Sequence, residues 1–232
     1  MALRWAARRL ELLELGVSKP VAVSAEFVDG RFGYRLRQGY GRRQPLGRAV
    51  GIGSNTRPKV VDATAGLGRD TVLLATLGCT VQALERSAVV AELLRDGLRR
   101  ASETGTGAGA SSADQRLAES VDRIELIHAD AREWLGQPSV AGPADVILLD
   151  PMFPERQKSA LVKKEMRLFR ALVGEDRDAD ELFQAAVAAE PGRIVVKRPR
   201  GAPPMVSFAR PHHSHDGGVT RYDVYLQPRI TR

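Results

Sequence analysis

The chain has 232 residues, 43% of them hydrophobic, which is enough for one α/β domain with a sizeable core and a small extension. A single cysteine, Cys79, excludes an intramolecular disulfide, and no run of residues approaches the roughly 18 apolar residues of a membrane span. The net charge of +7 favours a polyanionic partner, above all nucleic acid, although an Arg-rich proteome would produce the same charge. Charged residues such as Arg8 and Glu11 interrupt the N-terminal apolar residues, which argues against a signal peptide and for a cytoplasmic protein.

The first 50 residues predict a small α+β lobe ahead of the main domain. Leu3 to Leu15 carries apolar residues at helical spacing, which predicts an amphipathic helix. Val21 to Leu36 begins with alternating apolar residues and contains Asp29-Gly30, a two-residue turn signal, and therefore predicts a β-hairpin. The segment from Arg35 to Arg48 is rich in Arg, Gly and Gln, and it predicts a basic loop that either contacts phosphate or is simply solvated.

Residues 51–232 form the predicted main domain, because strand and helix patterns alternate from Lys59 onward. Such alternation implies a mainly parallel sheet with right-handed crossovers. Residues 102–113 are rich in Gly, Ser, Thr and Ala and predict a flexible low-complexity insert. The predicted strands cover residues 60–61, 79–84, 123–128, 144–149, 193–197 and 220–226, and the predicted helices cover residues 71–77, 89–101, 159–172 and 180–189.

Residues 62–70 predict a ligand-binding turn between the first strand of this domain and its first helix. Gly66 and Gly68 allow a close approach that a Cβ would block, and the N–H groups of the first helical turn would face the ligand. Thr71 stands where the dinucleotide fingerprint has its third glycine, so the pattern is not the full NAD motif. The Asp62 carboxylate would repel a pyrophosphate but could pair with an ammonium group, which favours S-adenosylmethionine. A tight turn without a ligand is the alternative.

Acidic residues follow several predicted strands, at the edge where an open α/β sheet binds its ligands. Glu85 ends the second strand and is expected to hold a ribose diol, or else to pair with Arg86. Asp130 follows the third strand and is expected either to accept a hydrogen bond from an adenine amine or to cap a loop. In the glycine turn, Arg69 and Asp70 are expected to shape the backbone, with Asp70 capping the helix that follows.

Asp150, Pro151 and Phe153 are the predicted catalytic residues, because they come directly after a buried strand. An exocyclic base amine is a poor nucleophile, since its lone pair is delocalised into the ring. The carboxylate and the adjacent backbone carbonyl can accept hydrogen bonds from that amine, direct its lone pair at a methyl group and accept developing charge. Pro151 stiffens the turn, and Phe153 offers a ring against which an extruded base can stack. An ordinary Asp-Pro turn with a core phenylalanine is the alternative.

Basic residues follow the catalytic turn and the fifth strand of the domain, on the predicted ligand side of the sheet. They would contact phosphates and so position an RNA without reading its sequence, and a solvated helix face is the alternative. His212, His213 and His215 predict a loop, and no Cys or acidic partner stands at a spacing that would predict a metal site. The predicted RNA-contacting residues are Lys158, Lys163, Lys164, Arg167, Lys197 and Arg198.

Six segments between Pro45 and Leu226 carry specific sequence motifs. The most specific is residues 157–167, which read QKSALVKKEMR. The others are residues 62–70 (DATAGLGRD), 84–86 (LER), 150–154 (DPMFP), 195–199 (VVKRP) and 221–225 (RYDVY). Together these motifs closely resemble those of the bacterial ribosomal RNA small subunit methyltransferase J family.

The resemblance implies a Rossmann-like class I methyltransferase fold, a mainly parallel twisted sheet with helices on both faces, to which this chain adds its small N-terminal extension. It implies methyl transfer from S-adenosylmethionine to the exocyclic N2 of one guanine in 16S rRNA, so the partner is 16S rRNA or the small ribosomal subunit. Methylation of another nucleobase amine, such as adenine N6, and a non-catalytic RNA-binding or assembly factor are the alternatives. Carried over by motif, the cofactor contacts are Arg69, Asp70, Glu85, Arg86, Asp130, Ala131 and Asp150, in addition to Asp62, Gly66 and Gly68 of the turn.

Overall fold

The computed structural model describes residues 1–17, 20–39, 44–137, 144–151, 168, 172, 178–207 and 209–227. These residues form a seven-stranded mixed sheet flanked by helices, together with a three-stranded antiparallel sheet near the N-terminus. The predicted class, a Rossmann-like sheet with helices on both faces, is confirmed.

The N-terminal residues form strands where the helical spacing predicts a helix. Strands β1 (Ala2–Ala6) and β2 (Arg9–Leu13) pair as an antiparallel hairpin, and β3 (Ala22–Val23) pairs with β2. The predicted helix over Leu3 to Leu15 is therefore wrong. Ala7 and Arg8 have φ angles of 48° and 64°, the left-handed conformation that a two-residue hairpin turn requires and a helix excludes.

The segment around Asp29-Gly30 begins a helix and does not turn a hairpin. The Glu26 carboxylate accepts hydrogen bonds from the N–H groups of Val28 and Asp29, and helix α1 (Gly30–Arg37) starts directly after them. The predicted hairpin over Val21 to Leu36 is therefore wrong, except for β3. These side-chain hydrogen bonds stabilise the entry to a helix with residues that also suit a tight turn.

The predicted basic loop over residues 35–48 is helical at both ends. Helix α1 extends through Arg37, and helix α2 (Pro45–Val50) begins with a proline in its first turn, the position that favours it. Residues 40–43 lie outside the described residues.

The large sheet has the strand order β6-β5-β4-β7-β8-β10-β9. The first five strands in this order are parallel, and β10 is antiparallel to both of its neighbours. The alternation predicted from Lys59 onward is thus confirmed. The strand bounds are β4 (Lys59–Asp62), β5 (Thr80–Glu85), β6 (Ile124–His128), β7 (Val146–Leu149), β8 (Arg193–Pro199), β9 (His213–Asp216) and β10 (Thr220–Leu226).

Five helices follow the strands of this sheet in the described part of the chain. Their bounds are α3 (Arg69–Thr76), α4 (Ala88–Glu103), α5 (Ser112–Val121), α6 (Ala131–Leu135) and α7 (Ala179–Ala188). Helix α4 extends into the predicted insert, and α5 begins within it at a capping box made by Ser111 and Asp114. The predicted helix over residues 159–172 lies outside the described residues apart from Leu168 and Leu172.

Two hydrophobic cores lie on opposite faces of the sheet. Alternate residues of one strand enter different cores: Val195 packs in the core that contains α3, while Ile194 and Val196 pack in the core that contains α6 and α7. Cys79, which is completely buried, belongs to the first core, as its position at the start of a strand predicts. This alternation decides which polar side chains meet where the strands end.

Candidate active site

The glycine turn connects β4 to α3 and requires its glycines. Gly66 and Gly68 have φ angles of 54° and 76°. A Cβ on Gly68 would lie 2.4 Å from Leu94 Cδ1 and 3.2 Å from Phe27 Cζ. Gly68, and not Asp70, occupies the N-cap position of α3, so the predicted capping role of Asp70 is wrong.

Asp62 lies beneath this turn and is only 2% exposed. Its carboxylate accepts a hydrogen bond from Thr71 Oγ1 at 2.5 Å and one from the N–H of Thr64 at 3.3 Å. Burial raises the pKa of Asp62 to about 7, although the Thr71 hydroxyl opposes this shift. Thr71, at the position of the absent third glycine, therefore serves to satisfy a buried acid.

A cleft opens at the carboxyl ends of β4, β5, β6 and β7. Of the predicted site residues, Gly66, Glu85, Arg86, Asp130, Ala131 and Asp150 line it. Asp62, Gly68, Arg69 and Asp70 do not line it and instead form the turn and the first residues of α3 behind it. Ala63 and Thr64 of the predicted ligand-binding turn and Leu84 also line the cleft. Four further residues of the lining were not indicated by the sequence: Ala129, Arg132, Asp178 and Leu182.

Glu85 connects the end of β5 to the glycine turn. Its Oε2 accepts a hydrogen bond from the N–H of Gly66 at 3.0 Å, and its Oε1 accepts one from the N–H of Ser87 at 2.7 Å. With only 6% of the residue exposed, the carboxylate is held in one orientation at the cleft wall. Arg86 forms an ion pair with Asp178 at 2.9 Å.

Asp130 is the N-cap of α6, as one of the two sequence interpretations predicts. It accepts from the N–H of Arg132 and pairs with the Arg132 guanidinium at 2.7 Å, which holds its pKa below the usual value. Arg132 also reaches Asp178 at 3.0 Å and Glu181 at 2.7 Å. This network joins α6 to α7 across the cleft. No local sequence signal marks it, because its members come from distant segments.

Asp150 follows β7 and is held from two sides. Its backbone N–H donates to Thr64 Oγ1 at 2.6 Å, and its Oδ2 accepts from Lys197 Nζ at 2.8 Å. The same Nζ lies 2.7 Å from Asp70 Oδ2. Pro151 is buried, while Phe153 lies outside the described residues.

The two basic residues at the end of β8, both predicted to contact RNA, extend from opposite faces of the sheet. Lys197 faces Asp150, after β7, and Asp70, in α3. Arg198 faces the opposite side of the sheet, is 5% exposed and donates from Nε to the carbonyl of Pro203. The other predicted RNA contacts, Lys158, Lys163, Lys164 and Arg167, lie outside the described residues.

The histidines near the C-terminus lie on a strand. His213 and His215 belong to β9, so the predicted loop is wrong, and their rings pack edge to face at 5.2 Å. Within the described residues, no cluster of three or more His, Cys, Asp or Glu side chains is arranged to bind a metal ion. In the same part of the chain, every helix is too short or too polar to cross a membrane.

Comparison with known proteins identifies the family of this chain. The model of a family described as "Putative SAM-dependent methyltransferase" matches residues 1–227. The ribosomal RNA small subunit methyltransferase J of Thioalkalivibrio sulfidiphilus is 50% identical over 92% of this chain and 81% of its own length, and that of Nitrosococcus oceani is 46% identical over 95% and 82%. The chain belongs to the ribosomal RNA small subunit methyltransferase J family. A crystal structure of a SAM-dependent methyltransferase from Neisseria gonorrhoeae, 32% identical, covers 95% of this chain and 80% of its own, with a TM-score of 0.67.

S-adenosylmethionine is the cofactor of this methyltransferase family, and the cleft suits it. This cofactor is an adenosine without phosphates whose methionine part carries a sulfonium, an ammonium and a carboxylate group. The cleft wall carries four acids, Glu85, Asp130, Asp150 and Asp178, against two arginines, Arg86 and Arg132, so its excess of acids disfavours a pyrophosphate.

Proposed function

We propose that this protein transfers a methyl group from S-adenosylmethionine to the exocyclic N2 of a guanine in the 16S rRNA of the small ribosomal subunit. The observation that carries the proposal is the Asp150-Pro151 turn, held at the wall of a cofactor cleft in a member of this family. A ribosomal substrate would make the cytoplasm the site of the reaction.

Bound S-adenosylmethionine would supply an electrophilic methyl group on its sulfonium sulfur, with the neutral thioether of S-adenosylhomocysteine as the leaving group. We assign the ribose hydroxyls to Glu85, whose carboxylate is oriented by two backbone donors. Asp130 is the proposed acceptor for the adenine amine, with Ala131 and Arg86 lining the same cleft. Asp62, Gly66, Gly68, Arg69 and Asp70 would form the turn that supports the rest of the cofactor.

In the proposed mechanism, Asp150 and the backbone carbonyl of Pro151 accept hydrogen bonds from the guanine amine. These bonds favour the geometry in which the lone pair points at the methyl group, and the carboxylate stabilises the positive charge that develops on nitrogen. The methylated amine then loses one proton, and the Asp150 carboxylate is the proposed acceptor. Alignment supplies much of the acceleration, because both reactants are held at one edge of the sheet. Phe153 is proposed to stack against the extruded base.

The proposed partner is 16S rRNA, free or within the small subunit. The net charge of +7 supports a polyanionic partner, and the basic run Lys158, Lys163, Lys164 and Arg167 directly after the catalytic turn suits phosphate contacts. Lys197 and Arg198 are not proposed as phosphate contacts, because Lys197 pairs with two acids and Arg198 is buried.

The test is transfer of tritiated methyl groups to 30S subunits and to naked 16S rRNA, both from a strain that lacks the enzyme. After digestion to nucleosides, we expect label in N2-methylguanosine, and Asp150→Ala should abolish it, whereas Asp122→Ala, which changes an exposed acid at the end of α5, should not. Label in N6-methyladenosine would support the second nucleobase-amine interpretation. Absence of both label and cofactor binding would support a non-catalytic RNA-binding factor.

A further inference from the structure

Lys197 connects the two turns on which the proposed reaction depends. Its Nζ lies 2.8 Å from Asp150 Oδ2, on the catalytic turn, and 2.7 Å from Asp70 Oδ2, in the first turn of α3. Neither Asp70 nor Lys197 lines the cofactor cleft. The lysine therefore contacts Asp150 from outside the cofactor cleft.

The strand register explains this position. Leu149, the last residue of β7, is paired with Val196 of β8, so Asp150 and Lys197 are neighbours one step further along parallel strands. Lys197 follows Val195 by two residues, so both side chains extend from the same face of β8. This face packs against α3, where Asp70 lies. On β10, Tyr222 pairs with Lys197 and is also buried in that core.

The charges around Lys197 exclude a role as proton acceptor. Burial alone would lower the pKa of the ammonium group, but the attraction of Asp70 and Asp150 outweighs this and raises it above the usual value. Burial also raises the pKa of the Tyr222 phenol, which therefore faces the cluster as a neutral group. Asp62, on β4, adds a further acid near both carboxylates. The lysine thus remains a cation between these acids at neutral pH.

We propose that Lys197 is a positioning residue for methyl transfer, which holds one oxygen of the Asp150 carboxylate so that the other accepts the amine of the base. The proposal rests on the proposed function. Because Nζ contacts both carboxylates within 2.8 Å, Lys197 also suppresses the repulsion between Asp70 and Asp150. Without the lysine, the two acids repel each other, and Asp150 turns away from the base or takes up a proton.

The competing interpretation is the one that the sequence favours, a lysine that contacts RNA phosphate. The two roles differ in kinetics. A phosphate contact contributes to RNA binding, so its loss raises KM and lowers the salt dependence of binding. A positioning residue acts on the chemical step, so its loss lowers kcat and leaves the KM for RNA unchanged.

The experiment compares Lys197→Met, Lys197→Arg and Lys59→Met with the wild type. Lys59→Met is the matched control, because it removes an exposed lysine at the start of β4, away from the carboxyl ends of the strands. Single-turnover rates are measured with 30S subunits across pH, together with KM at several salt concentrations. Calorimetric binding of S-adenosylhomocysteine and thermal unfolding report on the protein without catalysis.

We expect Lys197→Met to lower the rate by about 100-fold, the scale that a misplacement of about 1 Å produces. The acidic limb of its pH profile should move to higher pH, while the KM for RNA and the affinity for S-adenosylhomocysteine change less than about threefold. Lys197→Arg keeps the charge and should recover about tenfold of the loss. Lys59→Met should match the wild type in every measurement.

A raised KM with a weaker salt dependence and an unchanged rate would overturn the proposal in favour of a phosphate contact. An equal loss in Lys197→Met and Lys197→Arg, accompanied by lost cofactor binding, would overturn it in favour of a structural role. If Lys197→Met does not fold, Lys197→Gln gives a second test, because its amide can donate a hydrogen bond but carries no charge: a wild-type rate and pH profile in Lys197→Gln would overturn the proposal. The identity of the nucleoside that the wild type methylates tests the proposed function separately. The ratio of variant to wild-type rates tests the role of Lys197 whichever base is methylated.

Discussion

Asp62 shows how one buried acid makes stability depend on pH. Its pKa is about 7 in the folded chain, against an ordinary aspartate value of 3.8, so the folded state retains a proton that the unfolded state has released between pH 4 and 7. Stability therefore falls as pH rises through this window, and the loss is complete above pH 7. A change of one pKa unit corresponds to about 1.4 kcal/mol.

We expect Asp62→Asn to remove this dependence while its amide oxygen still accepts from Thr71. Between pH 5 and pH 8, the wild type should lose about 2 to 3 kcal/mol more of its free energy of unfolding than the variant does. Urea unfolding at several pH values measures the difference, with the exposed-site variant Asp122→Asn as control. Parallel curves for Asp62→Asn and wild type would show that Asp62 does not hold a proton in the folded protein.

Glu85 is the residue whose substitution tests the cofactor assignment most directly. In Glu85→Gln, one of the two oxygens that accept from Gly66 and Ser87 becomes an NH₂ group, so one backbone donor loses its acceptor. We expect the dissociation constant of S-adenosylhomocysteine to rise by about 10- to 100-fold, the loss of a charged hydrogen bond. Calorimetry measures it. Glu125→Gln, on the neighbouring strand, should bind as the wild type does, and equal affinities of all three proteins would contradict the ribose role.

At the scale of elements, the turn between β4 and α3 depends on Gly68. Its φ of 76° strains any residue with a Cβ, and the new methyl group would collide with Leu94 and Phe27. We expect Gly68→Ala to lower the free energy of unfolding by about 2 to 3 kcal/mol and to weaken cofactor binding. Gly107→Ala, where nothing lies within 4 Å, is the control. Thermal unfolding measures the loss of stability. Equal melting temperatures for the two variants would mean that the turn tolerates a side chain.

Elements near the N-terminus were mispredicted because local patterns there are ambiguous. Apolar residues at helical spacing form β1 and β2 once Ala7 and Arg8 adopt left-handed angles and Leu12 packs against Leu93. Asp29-Gly30 suits a hairpin turn and a helix start equally, and the Glu26 carboxylate favours the helix. The parallel strands were predicted well, since a long apolar run between polar turns has few other stable arrangements.

At the scale of the molecule, the N-terminal sheet packs on α4 and close to the glycine turn. Asp96 on α4 accepts a hydrogen bond from the N–H of Leu10 at 3.0 Å. Leu12 is buried with Leu93 and Leu168, and Leu67 of the glycine turn packs against the same cluster. The small sheet therefore supports the turn that forms one wall of the site.

Truncation of Leu12 tests whether the sheet is part of one cooperative unit. We expect Leu12→Ala to lower the free energy of unfolding by about 2 to 4 kcal/mol, because it leaves a cavity in a buried cluster. The control is Leu3→Ala, at a residue that is 42% exposed, which should cost less than about 0.5 kcal/mol. Urea unfolding followed by fluorescence and by circular dichroism gives the values. Two separate transitions would show that the N-terminal sheet unfolds on its own.

The sequence by itself determined the alternating β/α order, the glycine turn and the acids at the strand ends. It could do so because strand burial, turn conformation and polar strand ends are properties of neighbouring residues. Its motifs also identified the family, and the comparisons with known proteins confirm that identification. Glu85, Asp130 and Asp150 meet at one cleft because parallel strands end at one edge of a sheet.

Only the tertiary structure decided the partners of these residues. Lys197 and Arg198 are adjacent in sequence and equally basic, yet the pleat of β8 sends them to opposite faces, one to Asp70 and Asp150 and the other to the carbonyl of Pro203. Arg132 and Asp178 meet across the cleft from segments far apart in the chain. Contacts of this kind depend on how layers pack and on strand register, which no local pattern of residue types encodes.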